Sequence, residues 1–225
     1  MSDERIERAK RHYERSTFGG DSSGLPAAMA ELDAVEAEVA LARGRLIHAG
    51  FLDRRRAGQQ PPAEDPSELE LFVHSAQLFH GLGNVRGEAE ALFWIGCCLQ
   101  VVRDDEPLSL PYFERSRELA ARVGDKLTMS YAIRHLAYAE QSAGRLDAAR
   151  ELVWESIRLR REVGFLPGVA ANLITLAEIV AGQEGKAAGL ALLDEAEAAA
   201  RDCGANGILG WAEHARRELE ALPES

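Results

Sequence analysis

Gly83, Gly124, Gly164 and Gly204 recur at intervals of 41, 40 and 40 residues. Each follows a helically periodic stretch that ends in a small or medium apolar residue: Leu82, Val123, Val163 and Cys203. A fixed period of this size marks a repeat array, in which each unit buries its apolar face only by stacking on the next. The stretches before the glycines superimpose under the same period. Leu71-Phe72, Tyr112-Phe113, Leu152-Val153 and Leu192-Leu193 coincide, as do Ser75, Ser116, Ser156 and Ala196. The expected fold is all-α, more than about two-thirds helix and without a sheet.

Composition supports this and excludes several function classes. An apolar share of 46% suits a folded chain of 225 residues, and aromatic residues make up only 6%, leaving little material for strands. The net charge of −11 argues against nucleic acid or an anionic membrane as the main ligand, since both demand a dominant basic surface. The clusters Arg54-Arg55-Arg56 and Arg158 to Arg161 sit among acids and read as solvated faces. No stretch reaches the roughly 18–20 apolar residues of a membrane span. The opening MSDERIERAKRHYERS carries acids and no apolar run, unlike a signal peptide, so a cytoplasmic location is expected. Cys97, Cys98 and Cys203 lack metal-finger spacing and read as buried thiols in a reducing compartment.

Three regions follow from the punctuation: a charged arm and joint over 1–25, a helical array over 26–205, and a capping helix and tail over 206–225. The arm is helical over 3–16 and packs weakly, and Gly19 to Gly24 forms a joint. A first helix runs from near Pro26 to about Leu52, followed by an extended turn from Arg54 to Pro66. Helices then alternate over 66–82, 86–102, 109–123, 127–143, 147–163, 167–182, 187–203 and 206–221. Asp104-Asp105-Glu106-Pro107, Gly144, Gly182 with Gly185 and the periodic glycines mark the joints. Such short joints imply antiparallel neighbours.

These residues resemble the tetratricopeptide repeat family. In the third unit Ile133, Leu136 and Ala137 hold the packing places of the first helix, and Gly144 is the turn glycine. Ala149, Val153 and Ser156 fall where the second helix takes alanine, a large apolar residue and a small one. Leu92, Ile95 and Gly96 repeat the first-helix signature, as do Leu173, Leu176 and Ala177. The resemblance covers four units over about residues 30–204 and implies a right-handed superhelical solenoid of antiparallel helix pairs. The period departs from the family's usual 34 or so residues and is similar to the variant attached to bacterial signal-transduction ATPases and transcriptional regulators. The first unit also departs, because Arg43 stands at its packing place.

Members of this family bind partners in the concave groove lined by first-position helices. Position by position, the resemblance implies a groove lined by Glu90, Phe93, Cys97 and Gln100, by Tyr131, Arg134, Tyr138 and Gln141, and by Ile174 and Glu178. Tyrosines offer rigid amphipathic contact area and Arg134 can grip a carboxylate bidentately, so a protein or peptide segment with an acidic group is the expected partner. The family's carboxylate-clamp lysines and asparagines are absent.

Catalysis, metal and cofactors have no such support. The six histidines never show His-x-x-x-His or Glu-x-x-His spacing, and no phosphate loop or nucleophile elbow is present. Asp104-Asp105-Glu106 reads as a solvated turn. A binding scaffold is therefore the leading expectation. A small-molecule or signalling-peptide sensor, which needs a closed apolar pocket of roughly 300–1,000 Å³, is the second, and an enzyme the third.

Overall fold

A computed structural model describes residues 3–58 and 63–221. Of these described residues 86% are helical and none is in a strand. The helices are α1 (Glu4–Gly19), α2 (Leu25–Arg56), α3 (Ser67–Gly81), α4 (Val85–Cys97), α5 (Glu106–Arg122), α6 (Lys126–Ser142), α7 (Leu146–Glu162), α8 (Leu166–Glu184), α9 (Lys186–Asp202) and α10 (Asn206–Ala221). In the first part of the chain α1 packs on α2, α2 on α3 and α3 on α4; in the second α6 packs on α7, α7 on α8, α8 on α9 and α9 on α10, with α10 also touching α8, compatible with a helical repeat. The chain groups into two compact units, Met1–Ser109 and Leu110–Ser225.

The periodic glycines act as expected. Gly83, Gly124, Gly164 and Gly204 have φ of 65°, 67°, 71° and 68°, a left-handed conformation in which a Cβ would be strained. The amide of the residue after each glycine reaches back to close the helix: Asn84 to Phe79 O at 2.9 Å, Asp125 to Ala120 O at 2.8 Å, Phe165 to Arg160 O at 2.9 Å and Ala205 to Ala200 O at 2.9 Å. Asn84 and Asp125 then cap the next helix, accepting from the amides of Gly87 and Thr128. The superimposed serines tie helix pairs together. Ser75 Oγ donates to Ala37 O at 2.9 Å, and Ser156 Oγ to Ser130 O at 2.6 Å.

Three joints differ from the sequence expectation. α2 runs on to Arg56, so the turn expected over 54–66 begins later, and residues 59–62 of it lie outside the described residues. α8 passes through Gly182 and stops at Gly185, φ 98°, because a lone glycine lowers helix propensity by only about 1 kcal/mol. The helix expected over 86–102 changes after Cys97 into a π-helical segment, Cys98–Val102. Asp105 caps α5 by accepting from the Leu108 amide at 3.1 Å, so the acidic triplet is a helix start.

In unit 1, α1 buries no residue and lies on α2 through ion pairs, Arg5 to Glu38 at 3.1 Å and Arg8 to Glu31 at 2.8 Å. The core is Phe51, Phe72, Phe79, Phe93 and Leu99. Gly44, one residue beyond the expected Arg43, is the close-packing position: a Cβ there would meet the Phe72 ring at 2.5 Å, while Arg43 is exposed.

In unit 2 the core joins Val153, Ile157, Leu173, Leu176, Leu193 and Leu219. Helix α8 is long and apolar enough to cross a membrane, yet 67% of that stretch is buried within this core. Helices α8 and α9 approach closely at Gly189, where a Cβ would sit 2.8 Å from the Ala177 carbonyl oxygen. Ala137 is fully buried at the equivalent place in α6. Ala137→Leu should overpack it and cost about 1–3 kcal/mol. A chemical-denaturation midpoint matching the parent would show that the side chain has room the packing denies.

Candidate binding site

The ten groove residues fall in both units and have unequal access. In unit 1, Glu90 is half-buried and held by Arg45 at 3.0 Å, whose guanidinium also lies 5.5 Å from the Trp94 ring centroid. Phe93 is buried edge-on against Trp94, and Cys97 is buried 3.9 Å from the His48 ring, so both pack inward instead of lining a surface. Gln100 is half-buried in the π segment. In unit 2, Ile174 is also buried in the core. Family positions specify a helix face, and α4 and α8 are covered more deeply than that face implies. Gln141 is half-buried and Glu178 exposed. The Glu178 carboxyl is pushed above the usual range by partial desolvation and then by Glu218, against the pull of Arg134 and His214.

Tyr131, Arg134 and Tyr138 are the set that the fold assembles. Their spacing of three and four places them on one face of α6. Arg134 donates through Nε and Nη2 to Tyr138 Oη at 2.9 and 2.5 Å. Tyr138 Oη lies 3.4 Å from Thr175 Oγ1 of α8. The His135 ring braces Tyr138 edge-on and stacks on Phe113 at 4.9 Å.

Arg160, from α7, completes this cluster and was not expected in it. The sequence places it in a run of solvated arginines, and its neighbours Arg158 and Arg161 do face solvent, paired with Glu162 and Glu195. Arg160 itself has 0% exposure. Its position is legible in retrospect: Val153, Ser156, Ile157 and Arg160 share one helical face, and all four are buried. Nη1 donates to Gly168 O at 2.7 Å and to Asn172 Oδ1 at 2.8 Å, and Nε to Ser130 Oγ at 3.3 Å. Asn172 in turn donates to Ser156 Oγ at 2.8 Å. The guanidinium carbon lies 4.9 Å from the Tyr131 ring centroid and 5.7 Å from that of Phe165. Nη2 is buried with no hydrogen-bond partner.

The electrostatics of the cluster are one-sided. Among the described residues neither Arg134 nor Arg160 is in an ion pair, whereas Arg145, Arg150, Arg158, Arg161, Arg201 and Arg216 of the same unit each hold a carboxylate. Burial, and then the charge of Arg134, push the Arg160 guanidinium down to about 9. At neutral pH it stays protonated, as a buried cation stacked on tyrosine and unmatched by an acid. An anionic group is the chemical complement of this arrangement.

Among the described residues, two of the concavities lie apart from these side chains. One in unit 1, of about 630 Å³, is lined by Arg43, Leu46, Ile47, Glu70, Leu71 and His74. The other, of about 750 Å³, follows the α8–α9 joint from Ala181 to Leu190. Among the described residues no cluster of His, Cys, Asp and Glu is placed to hold a metal ion. Compared with known proteins, the chain matches no protein-family model and no curated relative.

Proposed function

We propose that this chain is a non-catalytic binding module, a right-handed helical-repeat solenoid of the tetratricopeptide type, and that unit 2 takes a protein or peptide segment carrying an acidic group. One observation carries the reading: Arg134 and Arg160 lie beside Tyr131 and Tyr138 and, among the described residues, neither is held in an ion pair, although Arg134 feels the charge of Glu178. Polar hydroxyls, aromatic faces and unbalanced cations are the mixture that recurs where peptides anchor.

Selection of displayed peptides on the full chain tests this. Enriched sequences should carry Asp, Glu or a terminal carboxylate. Arg134→Ala should then weaken the best of them by roughly ten- to a hundredfold, the loss of a charge-assisted hydrogen bond. Arg134 is half-buried, so the thermal midpoint should move little. Enrichment without acids, or binding indifferent to Arg134, would remove the site from α6. A second reading, a small-molecule sensor, draws on the apolar-lined concavity at Leu46, Ile47 and Leu71 in unit 1. It requires a ligand whose binding survives Arg134→Ala.

A further inference from the structure

Unit 1 encloses a polar chain that the acid-binding cluster of unit 2 does not use. His48 of α2 is 4% exposed, Glu68 of α3 is 0% and Cys97 at the end of α4 is 5%. His48 Nδ1 lies 2.8 Å from Glu68 Oε1, and His48 Nε2 lies 3.9 Å from Cys97 Sγ. A carboxylate can only accept, so the imidazole proton belongs on Nδ1 and Nε2 is left as an acceptor facing the thiol. Trp94 meets the imidazole edge-on at 5.4 Å and fixes its plane. The order thiol, imidazole, carboxylate is that of an activated nucleophile, in which a base takes the thiol proton and a third group orients the base.

Three further observations separate this from ordinary thiol packing. Glu68 is fully buried and meets the imidazole through Oε1, which holds the ring with Nε2 turned to the thiol. The neighbouring thiol supplies the contrast. Cys98 feels the same carboxylate, and burial followed by that charge pushes it up to about 12. The helix also changes from α to π directly after Cys97, a local departure that recurs at functional sites.

We propose that Cys97 is a nucleophilic thiol, activated by His48 and Glu68, that undergoes stoichiometric covalent modification by a small, uncharged electrophile. Small and uncharged both follow from its burial, since a charged reagent must lose its hydration to reach the sulfur. With iodoacetamide as the probe, the sulfur attacks the methylene carbon, the carbon–sulfur bond forms as the carbon–iodine bond breaks, and iodide leaves with the bonding pair. The thiol proton passes to His48 Nε2, and the imidazolium lies between the sulfur and the carboxylate before releasing the proton to water.

The molecule carries its own control in Cys203, which is half-buried in unit 2. Exposure alone ranks Cys203 ahead of Cys97. The full chain carrying Cys98→Ser, treated at pH 7 with limiting iodoacetamide and mapped by peptide mass spectrometry, should show the reverse, with Cys97 faster by about tenfold. Anionic iodoacetate should lose that lead. His48→Gln, which keeps an amide donor for Glu68, should drop Cys97 below Cys203 and leave the Cys203 rate unchanged. Cys203 outpacing Cys97 in the native Cys98→Ser protein overturns the proposal, and so does a Cys97 rate that stays level or rises in His48→Gln. The first comparison is made within one folded chain and needs no substitution at His48.

Discussion

His48→Ala should destabilise unit 1 by about 3–5 kcal/mol, because it removes one partner of a buried pair and strands the other. Glu68 is fully buried, has one unpartnered oxygen already, and would lose the donor at its other oxygen. Water replacing that donor must enter a buried space against the Trp94 ring, which packs edge-on to the imidazole. The pair is a poor bargain for stability in itself, since desolvating a carboxylate offsets most of what the imidazole returns. The double variant His48→Leu with Glu68→Met should therefore recover most of the loss, in the way buried polar pairs replaced by apolar residues of similar volume do. Urea denaturation of both single variants and the double variant measures the coupling. An alanine variant within about 1 kcal/mol of the parent would mean that Glu68 finds another donor.

What the sequence made legible was local. Glycine in the left-handed conformation, an Asn or Asp cap after it and the apolar period within each stretch are decided over three to six residues, so α3 to α10 fell close to their expected ranges. The spacing of Tyr131, Arg134 and Tyr138 also places them on one face of α6, because that statement concerns register along a helix. Depth is a different quantity. Phe93, Cys97 and Ile174 are buried, and depth is set by neighbouring helices tens of residues away. The same distance hid the polar networks. Glu68 is 20 residues from His48, and Asn172 is 12 from Arg160, across a glycine joint. Arg160 was further disguised by exposed Arg158 and Arg161, although its place on the face of Val153 and Ile157 separates it from them.

Arg160→Met is expected to cost about 2–4 kcal/mol at pH 7, since methionine fills much of the same space but leaves Asn172 Oδ1 without its 2.8 Å donor and Tyr131 and Phe165 without their stacked cation. The sign of this effect is a contest between hydrogen bonds lost and a desolvation penalty removed, and pH separates the two. The Arg160 guanidinium is held at about 9 in the folded protein, from an ordinary value of 12.5. A basic group depressed in this way binds fewer protons folded than unfolded above pH 9, so its penalty shrinks as pH rises through that value. Between pH 7 and pH 10.5 the parent should gain on the order of 2 kcal/mol relative to Arg160→Met, at 1.36 kcal/mol per unit above the folded value. Lysines and the tyrosines outside this cluster are shared by both proteins and drop out of the difference, whereas Tyr131 and Tyr138 are coupled to Arg160 and belong to the effect measured. An acidic peptide bound beside Arg134 restores the preference for the charged form, so it should stabilise the parent more than Arg160→Met at pH 7, and the gap should close at pH 10.5. If the stability difference between the two proteins is flat from pH 7 to 10.5, Arg160 is not an uncompensated cation, and the case for an acidic partner in unit 2 loses its electrostatic basis.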